Sequence, residues 1–111
     1  MVVLNVTLTA LPEKRRELEQ TLLSMVTRIR NVAGCEEAEG YRDLRNEDRF
    51  LVLSRWGLRE KLDAYLRSDK FSALWGTRIL LSEPPSVSID AVSIRDGVEA
   101  IAKVRSGSQG D

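Results

Sequence analysis

Apolar and polar residues alternate strictly at the start of the chain. Val2, Leu4, Val6 and Leu8 fall on one side and Val3, Asn5, Thr7 and Thr9 on the other. This period of two predicts a strand with one apolar and one mixed face. Asn5 stands out on the mixed face, because asparagine is depleted in strands. The period then changes to that of a helix. Pro12 takes a first helical position, Glu13 complements the helix dipole, and Leu18, Leu22, Met25, Val26 and Ile29 form one stripe. The spacing predicts a helix from about Pro12 to about Asn31, ended by Gly34.

Cys35 to Asp43 reads as a second strand with a bulge at Gly40, and Arg45 to Asp48 as a polar turn. Arg49 to Trp56 resumes as a strand, with Phe50, Val52, Ser54 and Trp56 on one face and Leu51, Leu53 and Arg55 on the other. The two strands predict an antiparallel hairpin. Leu58, Leu62, Tyr65 and Leu66 mark a short helix, and Ser68 caps the next one. Its stripe is Phe71, Leu74, Trp75 and Ile79, running to about Leu81, and Pro84 with Pro85 cannot continue it. Val87, Ile89 and Ala91 give a last strand, and Gly97 to about Lys103 a helical tail.

The order β-α-β-β-α-α-β predicts an α+β, ferredoxin-like fold on a four-stranded antiparallel sheet. We expect the domain to span 1–95, a helical extension 96–105, and a disordered tail 106–111. The helices cover one sheet face. The other, whether it carries Leu51 and Leu53 or Phe50 and Val52, is apolar and bare in a monomer. A homodimer in which the sheets meet is therefore expected.

Composition narrows the chemistry. The 111 residues hold 17 Lys plus Arg against 17 Asp plus Glu, one cysteine and no histidine. A net charge of zero argues against a nucleic-acid surface, whose affinity rests on clustered cations. Without histidine there is no His-ligated zinc or haem and no Ser-His-Asp triad. Cys35 alone builds neither an internal disulfide nor a metal site. No basic leader precedes the first strand, and no run reaches the roughly 18 apolar residues of a membrane helix. A cytoplasmic protein with no resident metal or cofactor is expected.

Several segments together resemble the antibiotic biosynthesis monooxygenase family, of dimeric α/β-barrel fold. They are Leu11-Pro-Glu-Lys-Arg-Arg-Glu17, Gly34-Cys35, Tyr41-Arg-Asp43, Phe50-Leu-Val-Leu-Ser-Arg-Trp56, Leu62-Asp-Ala-Tyr-Leu66 and Ser68-Asp-Lys-Phe71, followed by Gly76 and Leu80-Leu81. The resemblance runs from about Val2 to Val92. It implies a ferredoxin-like monomer, a homodimer and cofactor-free oxygenation of quinols or related polyphenols. Haem-degrading relatives use a histidine on the helix where this chain has Trp75. Many quinol-oxidising relatives carry histidine where it has Tyr65.

Such chemistry calls for a dry pocket and donors aimed at a developing oxyanion. Asn5, Trp56 and Tyr65 are the candidate catalytic residues, with Trp75, Phe71 and Arg42 as substrate-binding residues. Asn5, Trp56, Tyr65 and Trp75 are expected to converge between sheet and helices. Each also has a plain structural reading. Asn5 can bond neighbouring backbone, the tryptophans and Tyr65 can be core, and the arginines can form ion pairs. A non-catalytic dimeric module that binds a small ligand or a protein partner is the alternative function.

Overall fold

The computed structural model describes residues 1–107. Its sheet has the order β2-β3-β1-β4 with every neighbouring pair antiparallel. Here β1 is Val2–Thr9, β2 Cys35–Asp43, β3 Asn46–Trp56 and β4 Ser86–Ala91. A 3₁₀ turn at Pro12–Lys14 leads into α1 (Arg15–Ile29), and α2 (Arg59–Leu66) and α3 (Asp69–Gly76) follow the β2-β3 hairpin. After β4 comes α4 (Val98–Arg105). This is the ferredoxin-like α+β fold. No helix among the described residues is long and apolar enough to cross a membrane.

Strand alternation sorts the two sheet faces. Val2, Leu4, Val6 and Leu8 of β1 and Phe50, Val52, Ser54 and Trp56 of β3 are buried. They pack with Leu18, Leu22, Val26 and Ile29 of α1, Leu62 and Tyr65 of α2, and Leu74 of α3. Each large aliphatic side chain buried this way contributes about 1.5–3 kcal/mol. Their odd-numbered neighbours Val3, Asn5, Leu51 and Leu53 lie half-buried on the open face. Leu51 and Leu53 therefore supply the uncovered apolar surface, and Phe50 and Val52 the core.

Three local features differ from the sequence expectation. The hairpin is tighter: Asp43 pairs with Asn46, so only Leu44 and Arg45 make the turn. Asp43 Oδ1 accepts from the Arg45 amide at 2.7 Å, and Asn46 Oδ1 from the Asp48 amide at 3.0 Å. These side-chain turns close the loop early and leave Asn46 to Asp48 to β3. The bulge is not at Gly40, which pairs with Val52. The register skips at Glu36, between Cys35 opposite Trp56 and Glu37 opposite Arg55. The extra residue puts Cys35 on the same face as Ala38 despite their odd spacing.

The third difference is in the helix after Ser68, whose Oγ accepts from the Phe71 amide at 3.3 Å as expected of a cap. α3 ends at Gly76, and Thr77–Leu80 tighten into a 3₁₀ turn. At three residues per turn the apolar stripe rotates. Leu80 is buried, and Ile79, expected in the stripe, is 83% exposed.

Toward the C-terminus, β4 and α4 are exposed apart from a half-buried Ala100. Ser106 and Gly107 close α4 with a Gly107 N–H to Val104 carbonyl bond of 3.1 Å. Residues 108–111, the rest of the tail expected to be disordered, lie outside the described residues.

Gly34 turns α1 into β2 at φ 90°, in the left-handed region that glycine enters without strain. A Cβ there would run into the Lys61 side chain on α2. Gly34→Ala is therefore expected to lower the unfolding free energy by about 1–3 kcal/mol. The readout is a lower urea midpoint at an unchanged slope.

Candidate functional site

Four aromatic rings run outward from the sheet. Trp56, the last residue of β3, is 0% exposed and stacks on Tyr65 of α2 with centroids 5.1 Å apart and planes at 23°. Tyr65 meets Phe71 of α3 edge to face at 5.5 Å. Phe71 stacks on Trp75, one helical turn further on, at 5.7 Å and 24°. The outermost ring carries the Arg78 guanidinium, 5.1 Å from its centroid, within cation–π range. Four of the six candidate residues are thus brought together.

Local sequence explains the arrangement. Trp56 takes the helix-facing parity of β3, and Gly57 and Leu58 then turn the chain into α2. Tyr65 lies on the same helix face as Leu62, three residues earlier, and both are buried. A buried indole N–H needs an acceptor, and Trp56 Nε1 donates to Ser54 Oγ at 3.0 Å. The sequence holds a signal for that role: Ser54 is the one polar residue among the helix-facing Phe50, Val52, Ser54 and Trp56.

The polar ends differ. Tyr65 is 1% exposed, and its hydroxyl has no hydrogen-bond partner. Burial first, then the neighbouring Cys35, pushes the phenol well above its ordinary range. At neutral pH it is a proton donor and not a base. Cys35 Sγ donates to the Glu37 carbonyl at 3.4 Å, and burial pushes its thiol up as well.

Asn5 is not part of this layer. It pairs with Leu53 across β1 and β3 and so points to the open face, with the sheet between it and Trp56. Its Nδ2 donates to Ser88 Oγ at 3.4 Å and to Asp90 Oδ2 at 3.3 Å, linking β1 to β4. The expected convergence of Asn5 with the rings fails because strand parity separates them. Arg42 also lies elsewhere. Its guanidinium sits over the Phe50 ring at 5.1 Å and pairs with Glu19 of α1.

Two hollows flank these groups. One, of about 650 Å³, opens at the outer end of the aromatic row, between Trp75, Arg78, Ile79, Leu81, Glu83 and Pro85. The other, of about 360 Å³, lies between α1 and β2. Among the described residues no three Cys, Asp or Glu side chains gather to hold a metal ion.

Comparison with known proteins bears on the fold and the family. The sequence model of one family, antibiotic biosynthesis monooxygenase, matches residues 1–75. No curated protein sequence matches the chain. Among solved structures, a Deinococcus radiodurans protein named for that family superposes with a TM-score of 0.79 at 20% identity, over 87% of this chain and 97% of its own. Rv0793 from Mycobacterium tuberculosis gives 0.77 at 22%, over 86% and 98%. PA3566 from Pseudomonas aeruginosa gives 0.70 at 25%, over 86% and 94%. At such identities the likeness establishes the fold.

The buried phenol sets a pH dependence. Unfolded tyrosine ionises near pH 10, whereas the folded Tyr65 resists ionisation. Its share of stability is fully present below about pH 10 and is lost as the pH rises further. The denaturation midpoint should fall more steeply above about pH 10 in the wild type than in Tyr65→Phe. Identical slopes would mean a solvated hydroxyl.

Proposed function

The chain belongs to the antibiotic biosynthesis monooxygenase family, and from that premise we propose that it oxidises a small quinol or polyphenolic aromatic compound with O₂, without a bound cofactor. One observation carries the reading: the Tyr65 hydroxyl is buried and unpartnered inside a layer of four aromatic rings. A buried polar group left unpaired costs roughly 1–3 kcal/mol. It is poised for an oxygen atom that a ligand would bring.

In this reading the substrate ring enters from the hollow beside Trp75 and takes the place of the Phe71 ring between Trp75 and Tyr65, with Phe71 moving aside to close over it. The Arg78 cation favours the phenolate form of the substrate, whose proton leaves to solvent. The electron-rich ring passes one electron to O₂, and the radical pair combines into a carbon–oxygen bond at a carbon bearing hydrogen. The resulting peroxide takes up a proton and expels water as that carbon loses its hydrogen. One oxygen stays as a carbonyl and the other leaves as water, so substrate and O₂ supply every atom and electron. Tyr65 donates to the developing oxyanion, and Trp56, held by Ser54, keeps its ring in place. Asn5, bonded to β4, has a tethering role here. Cys35, a single free thiol, fits a reducing cytoplasm.

The open face, with Val3, Leu51 and Leu53 half-buried, is covered in this reading by the same face of a second copy. Light scattering at micromolar concentration should give twice the chain mass, and the mass of a single chain would overturn the dimer.

A second reading has its own observation. Trp56 and Tyr65 fill the inner layer by stacking at 5.1 Å, which suits a non-catalytic dimeric module that binds a small ligand or a protein partner. Quinol-dependent O₂ uptake by the metal-free protein separates the two. Oxidation is expected, and Tyr65→Phe should lower it by about a hundredfold while leaving stability unchanged or raised by about 1 kcal/mol. Ligand binding without O₂ uptake would favour the module.

A further inference from the structure

The hollow between α1 and β2 is unrelated to the aromatic row. Its apolar wall is Leu22 and Val26 of α1 and Phe50 of β3. An arginine–glutamate pair stands at each end, and each pair ties α1 to β2. At one end Arg30, just past α1, donates from Nε to the Ala38 carbonyl at 2.8 Å and from Nη2 to Glu39 Oε1 at 2.7 Å. At the other end Arg42 of β2, lying over Phe50, pairs with Glu19 of α1.

Gly40 lies between the two pairs, and its missing side chain keeps the hollow open. A Cβ there would sit 3.6 Å from Val26 Cγ2, in ordinary contact, so anything longer would project into the space. β2 is an edge strand. The Ala38 carbonyl points away from β3 to meet Arg30. By strand alternation the Gly40 N–H and C=O face the same free edge.

We propose that this hollow is a second binding site, for an uncharged, elongated planar molecule with a hydroxyl group at each end. The polar ends select that chemistry. Each offers a cation that only donates hydrogen bonds beside a carboxylate that only accepts them. A neutral hydroxyl satisfies both, accepting from arginine and donating to glutamate. A carboxylate ligand would meet the glutamates, and an ammonium ligand the arginines. The pairs are about half exposed, so each is worth little alone and yields readily to a ligand. The apolar middle takes the ring face, and about 360 Å³ falls within the range of small-molecule sites. Binding here does not depend on the oxidation reading.

The test uses the whole protein and 4,4′-dihydroxybiphenyl as probe, followed by titration of backbone amide shifts in NMR. Saturable shifts are expected around Gly40, Arg42 and Leu22, separate from any set that the same probe causes around Trp75. Gly40→Leu should weaken binding at least tenfold with its thermal midpoint retained. 4-Hydroxybiphenyl, which meets only one end, should bind several-fold more weakly than the probe. The proposal falls if saturable shifts are confined to Trp75, if none occurs, if folded Gly40→Leu keeps the shifts around Arg42 and Leu22 at wild-type affinity, or if the single-hydroxyl compound binds there equally. An unfolded Gly40→Leu would be replaced by Gly40→Val, judged by the same criterion. O₂ uptake and its dependence on Tyr65 play no part in any of these outcomes.

Discussion

The stack of Trp56 on Tyr65 joins the sheet to the helices, and the rest of the site depends on it. The two rings meet where β3 ends and α2 has already turned back over the sheet. Such a pair contributes about 0.5–1.5 kcal/mol beyond the area it buries. The ion pairs around the rim, most with at least one exposed partner, are each worth about 0–1 kcal/mol. The aromatic contact therefore sets the geometry, and the charges decorate it. From Tyr65 outward, Phe71 and Trp75 can occupy only the positions that the Ser68 cap and the start of α3 allow. The Ser54 hydroxyl completes the arrangement by accepting the one polar hydrogen that Trp56 brings into the core.

What was legible in the sequence was what depends on near neighbours. The alternation in β1 and β3, the stripe of α1 and the Ser68 cap are patterns a few residues long, and they set the elements and the fold. Sequence and structure part where geometry changes within a few residues. A 3.6-residue period carried through Gly76 puts Ile79 in the core stripe, but beyond Gly76 the chain winds more tightly. The hairpin turn looks longer in sequence than it is because polar residues suit both a loop and the solvated start of a strand.

The site was half legible for a different reason. Trp56, Tyr65, Phe71 and Trp75 come from successive elements, so short-range spacing was enough to suggest their meeting. Only its chemistry groups Asn5 with them. Its true face follows only from the register that puts Val2 opposite Trp56, and register is a long-range property. Arg42 and Gly40 raise the same issue. The hollow between α1 and β2 exists because these two consecutive elements approach without touching along their whole length. Gly40 registers there as an absence, which no pattern of side chains can display.

The single-residue thickness of the sheet has a consequence for how such a chain can vary. In β1 and β3, even-numbered positions face the helices and odd-numbered positions face the open side. A single inserted or deleted residue within β3 would exchange the two sets downstream. It would carry an indole toward the open side and a guanidinium into the core. Substitutions can accumulate one at a time in these strands, but changes of length cannot. The Glu36 bulge absorbs one odd residue without that exchange, and the second register shift, between Arg42 and Asp43, lies next to the hairpin turn. Length variation among chains of this fold should accordingly gather in the turns and beyond β4, where a shift in count moves no side chain from one compartment to the other.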